Sequence, residues 1–253
     1  MAGKRELFDC LCILGPLKGG PQDAPSQAAN LERELARAGV DRALVHHSTA
    51  REYSPAYGNA RLMDEIAGNA FFEPCWVVMP HHTGEMPPGD ELVAAMLDSG
   101  VRAACAYPSR SEQNFSMSEW SAGELLDALE RARLPLFVRA GELDWDSIHE
   151  ICTAHPHLPL VLTKPGYRTA RYTFALAKRH PSLHVEISSL EGHGELEATA
   201  RRFGPERLLF GTGMPETTVG AGAALLALAD LPDRDLGLIA GGNLRRLLDG
   251  AGR

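Results

Sequence analysis

Arg139 and Lys164 each close a short apolar run, 135–139 and 160–164, the pattern of a buried strand. Two cations presented by neighbouring strand ends lose hydration and repel one another, so they persist only around an anion. Glu186, in the segment 184–188, is the protein carboxylate best placed to supply it. A substrate carboxylate or phosphate is the other source, because the planar fork of Arg139 suits bidentate recognition. Lys164 is in addition a candidate Schiff-base nucleophile. The plain alternative is an internal salt bridge from Lys164 or Arg139 to Glu186. Ser188 stands two residues beyond Glu186 and shares its face.

A second set of reactive types begins at His46-His47. Adjacent residues on a strand point to opposite faces. His47, nearer the following loop, is the candidate general base, against the commoner fate of a loop-capping histidine. Arg51 in that loop either contacts an anionic ligand or pairs with Glu52. Cys10 and Cys12, at i and i+2, point to one face, and Cys105 ends another strand. Three converging thiols, with His47 as a further ligand, suit zinc or copper(I). Buried free cysteines are more often small apolar fillers. Cys152, on a helical stretch, reads as packing, and Cys75 has no legible role. Tyr167 is a candidate ligand contact after Lys164, and Arg168 or Arg171 opens a helix where an anion can bind. Ordinary helix charge is the alternative for the arginines. His81 and His82 diverge on an extended segment and read as solvated loop.

These side chains need strands to carry them. Eight apolar runs, 7–14, 42–47, 72–79, 101–107, 135–139, 160–164, 184–188 and 207–212, alternate with segments of helical period. Leu125, Leu126, Leu129 and Ala132 form one stripe; Ala28, Leu31, Leu35 and Ala38 form another; Leu225, Leu228 and Leu231 belong to the last. One strand and helix per roughly 32 residues is the size of a (β/α)8 TIM barrel. No Gly-x-Gly-x-x-Gly follows the first strand, as a doubly wound dinucleotide fold would have. The expectation is an α/β chain, one barrel domain over 1–253.

Composition narrows the class. The 253 residues are 44% hydrophobic and 23% charged, ordinary for a globular chain with a sizeable core. Twenty-five basic against 33 acidic residues give a net charge of −8, and no basic stripe points to nucleic acid. No apolar run is long enough to span a membrane. Five cysteines without a signal-peptide core read as reduced thiols in the cytoplasm.

Four segments resemble the amidohydrolase-related TIM barrels, the branch with aminocarboxymuconate-semialdehyde and resorcylate decarboxylases. Phe8-Asp9-Cys10-Leu11-Cys12-Ile13-Leu14-Gly15 stands where that family has Phe-Asp-x-His-x-His-x-Gly. His155-Pro156-His157-Leu158-Pro159, running on to Lys164-Pro165-Gly166, resembles its sixth-strand segment. Phe203-Gly204-Pro205-Glu206-Arg207, running on to Gly211-Thr212-Gly213-Met214-Pro215, resembles its eighth, which normally ends Gly-Thr-Asp-x-Pro. Gly242-Asn243-Leu244-Arg245-Arg246 matches its C-terminal helix. In that family the first-strand histidines, a fifth-strand histidine and an eighth-strand aspartate hold a divalent metal, and a sixth-strand histidine handles protons. The matching positions here are Cys10, Cys12, Arg139, Gly213 and Lys164. Cations and glycine are not metal ligands, so the resemblance is to a divergent subset without the usual ligands, and no cofactor is expected. Gly213 leaves room and a backbone N–H for a ligand, or merely replaces a lost ligand.

Three functions compete. The first is a hydrolase- or lyase-like enzyme that holds a small anion on Arg139 and Lys164 while His47 or Glu186 moves a proton. The second is a non-catalytic barrel binding a small acid or a partner. The third is a thiolate-metal enzyme on Cys10, Cys12 and Cys105. The resemblance also permits a homodimer.

Overall fold

The structure, a computed structural model, describes residues 5–20, 24–166, 168–190 and 192–253. In chain order the elements are β1 Phe8–Leu14, α1 Ala28–Arg37, β2 Arg42–His47, α2 Ser48–Glu52, α3 Pro55–Glu65, β3 Phe72–Pro74 and β4 Trp76–Val77. Then follow α4 Gly89–Asp98, β5 Ala104–Ala106, α5 Glu119–Arg131, β6 Leu136–Arg139, α6 Trp145–Ala154, β7 Leu160–Thr163 and α7 Ala170–Arg179. The chain finishes with β8 Leu183–Glu186, α8 Glu195–Phe203, β9 Leu208–Leu209, α9 Val219–Leu228, α10 Asp233–Gly237 and α11 Asn243–Gly250. All strand pairs are parallel, in the orders β1-β2-β3 and β4-β5-β6-β7-β8-β9.

Two seams close these ladders into a barrel. The run expected as one strand over 72–79 is broken at Cys75. Pro74 has no N–H to donate, Cys75 N–H goes back to Val45 O at 2.8 Å, and Trp76 N–H goes forward to Ala103 O at 3.1 Å. One segment thereby serves both neighbours. At the other seam Cys10 N–H reaches Phe210 O, Gly213 N–H reaches Leu11 O and Ile13 N–H reaches Met214 O, at 2.9, 3.0 and 2.9 Å. The eighth unit therefore pairs with the first, although only Leu208–Leu209 is regular strand.

Alternation along the strands separates inside from outside. Phe8, Cys10, Leu44, Val77, Cys105, Phe137, Val161 and Leu209 fill the barrel, with Leu244 and Leu248 of α11 packed against them. Val138, Leu160 and Leu162 instead belong to an outer cluster with helix residues such as Leu125, Leu129 and Ile148, and Val45, Val185 and Leu208 to another with Leu31, Leu35 and Leu196. Of the expected stripes, the leucines of α1 and α5 are buried, while Ala28, Ala38 and Ala132 at their margins are only half-buried. The last is shifted: α9 buries Leu226, and Leu228 is exposed. Among the described residues no helix is long and apolar enough to cross a membrane.

Candidate active site at the barrel mouth

Parallel strands carry their C-terminal ends to one face, where barrel enzymes build their sites. Arg139 ends β6 and Lys164 directly follows β7, so both cations meet there as expected. The anion between them is Glu216, not Glu186. Lys164 Nζ donates to Glu216 Oε2 at 2.7 Å, Arg139 Nη1 at 3.2 Å, and Arg51 Nη1 donates to Oε1 at 2.9 Å. Burial tends to raise the pKa of Glu216, but Lys164, Arg51 and Arg139 outweigh it and hold it at about 2. Glu216 stands one residue beyond the cis Met214–Pro215 bond.

Glu186 is fully buried and points into the barrel, where its charge is felt at Cys10. It is unavailable to the cations because two backbone donors hold it: Lys164 N–H at 3.1 Å and Ser188 N–H. Burial raises its pKa. The bond from Lys164 N–H anchors a residue with φ of 45°, a left-handed conformation that costs a lysine about 1 kcal/mol or more. Ser188, in the turn beyond β8, contacts Glu186 through its backbone N–H. Lys164 Nζ, engaged by Glu216 and by Thr217 Oγ1 at 3.3 Å, is not a free attacking amine.

Gly213 offers no free backbone donor. Its φ is 69°, a Cβ there would stand 2.9 Å from Lys164 Cε, and its N–H is spent on Leu11 O. The glycine makes room for the lysine stem. Arg51 pairs with Glu112 at 2.6 Å as well as with Glu216 and lies over the Tyr107 ring at 4.7 Å. Its expected partner Glu52 instead accepts the Lys18 N–H at 3.0 Å.

The two histidines take the opposite assignment from the one expected. His46, two residues from inward Leu44, faces the barrel, and its Nε2 lies 2.6 Å from the Tyr107 hydroxyl. Burial, helped by Arg51, lowers its pKa to about 3, so it is neutral. His47 points outward. Its Nδ1 accepts the Thr49 N–H at 3.0 Å, capping α2, and its Nε2 is 3.5 Å from Glu65.

Of the cysteine trio, Cys10 and Cys105 stay together inside the barrel and Cys12 leaves them. The register slips between Asp9 and Cys12, a bulge that adds one residue and turns the second thiol around. Cys10 stays inside, while Cys12 packs with Leu31 and Leu35 outside and donates to Asp9 at 2.9 Å. Cys75 joins Cys10 and Cys105 on the inside. Burial pushes the Cys10, Cys12 and Cys75 thiols well up, so they rest as neutral thiols. Among the described residues no thiol belongs to a three-ligand cluster. Tyr167 lies outside the described residues.

Space exists beside the ion-pair cluster. A cleft of about 320 Å³ opens over Arg51, Glu112 and Glu216, and another of about 550 Å³ lies on the Thr217 side of Glu216. Beneath them Cys10, His46, Cys75, Cys105, Tyr107 and Arg139 surround only about 20 Å³, room for one water. The residues missed from sequence are Glu216, Glu112 and Tyr107, and His46 takes the place expected of His47. Tyr107 is at i+2 from inward Cys105, and Glu216 abuts the Gly211–Pro215 motif, so both carried a local signal.

The amidohydrolase family profile matches residues 14–250. Among curated proteins none matches the chain. An uncharacterised TIM-barrel protein of Bordetella bronchiseptica is similar in structure, with TM-score 0.78, 17% identity, and 98% and 100% of the two chains covered. The 5-carboxyvanillate decarboxylase of Sphingomonas paucimobilis gives TM-score 0.71 at 13% identity over 97% and 99%. A dihydroxybenzoic acid decarboxylase of Polaromonas, solved with bound manganese and 2-nitroresorcinol, gives 0.72 at 10% over 97% of each chain.

Proposed function

Since the chain belongs to the amidohydrolase family, we propose that it is a hydrolase- or lyase-like enzyme acting on a small carboxylate at the barrel mouth, without the family metal. One observation carries this reading: three cations from three different units converge on a single carboxylate, Glu216, at the edge of two open clefts. A substrate carboxylate presents the same charge and the same acceptor geometry, so it can replace Glu216 on Arg51, Arg139 and Lys164. Displaced from those cations, Glu216 regains ordinary basicity beside the substrate and becomes the proton acceptor. This gives the proton-moving role to Glu216, which lines both clefts, rather than to His47, which caps α2, or Glu186, which two backbone donors hold.

The donor set argues against a divalent metal at the family position. Arg139 and Lys164 would repel a dication, Gly213 has no donor side chain, and Cys12 is turned out of the barrel. A second reading, a non-catalytic small-acid-binding barrel, is favoured by the closed ion-pair ring and the roughly 20 Å³ interior.

Calorimetric titration with benzoate, substituted benzoates and phosphate, together with a turnover screen of the same acids for CO2 release and of their amides for hydrolysis, separates the readings. Glu216→Ala is expected to bind carboxylates about tenfold tighter than wild type, a difference of about 1.4 kcal/mol, and to lose turnover. Arg139→Ala is expected to bind more weakly. Tighter binding with no turnover by any protein would favour the binding barrel, and indifference of affinity to both substitutions would sink the site.

A further inference from the structure

Asp127 and Glu130 lie one turn apart near the end of α5, and His155 follows the last residue of α6. Helices in this fold run back from the mouth, so this cluster sits at the far end of the barrel from Glu216. The His155 side chain is 2% exposed. Its Nε2 meets Glu119 Oε2 at 3.1 Å, and a carboxylate can only accept, which assigns the ring hydrogen to Nε2. In the neutral ring Nδ1 is then the lone pair. It is buried without a hydrogen-bond partner, and it faces Asp127 Oδ1 at 3.4 Å and Glu130 Oε2 at 3.6 Å.

With the ring neutral, three acceptor atoms lie within 4.8 Å of one another, and they repel unless a positive charge, a metal ion or a proton on Nδ1, lies between them. We propose that Asp127, Glu130 and His155 form a binding site for a divalent cation of the zinc type. One imidazole nitrogen with two carboxylate oxygens is a donor set zinc accepts, and bonds of 2.0–2.1 Å at tetrahedral angles put ligand atoms about 3.3 Å apart. The observed 3.4 and 3.6 Å need little contraction. The outer contacts already orient the ligands. Glu119 holds the imidazole as carboxylates hold metal-bound histidines, and His157 N–H donates to Glu130 Oε1 at 2.6 Å, leaving Oε2 for the ion. The nearby cation Arg131 is engaged by Asp90. The ion would pin α5 to the turn that leads into β7, with a fourth position open to water.

The test titrates zinc into chelator-stripped full-length protein, following heat of binding and melting temperature. One equivalent bound, with the melting temperature raised by several degrees, is expected. Asp127→Asn with Glu130→Gln should abolish both effects. Both changes keep side-chain size and the acceptor oxygen for His157 N–H, so an unchanged urea midpoint without zinc is expected to show that the variant folds. Glu119→Gln should weaken binding by about 10–100-fold. A Cys10→Ser, Cys75→Ser variant should bind as wild type does. No zinc uptake, or uptake that survives the Asp127 and Glu130 changes, overturns the site and leaves a proton on Nδ1 between the carboxylates.

Discussion

Glu216 is held by charge more than by shape, and this makes it the residue most sensitive to pH. Its carboxyl is lowered from the ordinary 4.5 to about 2, so between those values the unfolded chain binds the proton more readily than the folded one. Stability owed to Glu216 is thus complete above pH about 4.5 and disappears as pH falls through about 2. Urea unfolding of wild type and Glu216→Gln over this range should show a stability difference that shrinks toward pH 2. A constant difference would mean that the ion pairs contribute nothing. Glu186 works differently, by satisfying two buried backbone donors. Glu186→Ala should cost about 2–4 kcal/mol, one unsatisfied donor at Lys164 and one at Ser188, measured by the same unfolding. Sequence showed that Arg139 and Lys164 require an anion, because repulsion between cations is a property of residue types. It named Glu186 because strand periodicity places that side chain inside. The place of Glu216 beside the Gly211–Pro215 motif is visible in sequence, but its reach across the mouth follows from the path of the 211–217 loop.

At the scale of elements, β1 and the segment after β9 decide whether the barrel closes. Asp9 is fully buried and accepts from Leu11 N–H and Thr212 N–H, both at 2.9 Å, from the Thr212 hydroxyl and from the Cys12 thiol. One side chain thus supports the bulge and the seam together. Asp9→Ala should destabilise the protein by about 3–5 kcal/mol through the donors it strands, read as a lowered urea midpoint. The bulge is also why i, i+2 spacing misplaced Cys12: period-2 reasoning assumes an uninterrupted ladder. All five cysteines are buried, so a thiol-specific reagent should label none of them rapidly in the native protein and all five after unfolding. Early labelling of Cys12 would place it at the surface instead. The split of the third strand had a legible cause in Pro74, whereas the exchange of His46 and His47 did not. Only the phase of β2 against its neighbours decides which of two adjacent residues faces inward.

Over the whole molecule, the cationic mouth and the His155 cluster lie at opposite ends of one barrel and should respond independently. Chelation is expected to lower the melting temperature through the α5–α6 site while leaving carboxylate affinity at the mouth unchanged. A fall in that affinity on chelation would count against a metal-free mouth. The alternation of apolar runs and helical stripes determined the barrel, since both periods follow from backbone geometry alone, and four motifs spread over the chain pointed to the amidohydrolase family. Residue types alone also determined that the mouth is cationic. Tertiary structure decided which anion the cations hold, which histidine faces them and which thiols meet. Each of those outcomes depends on closing two seams between segments far apart in the chain, where one bulge or one loop residue reverses a side chain's direction.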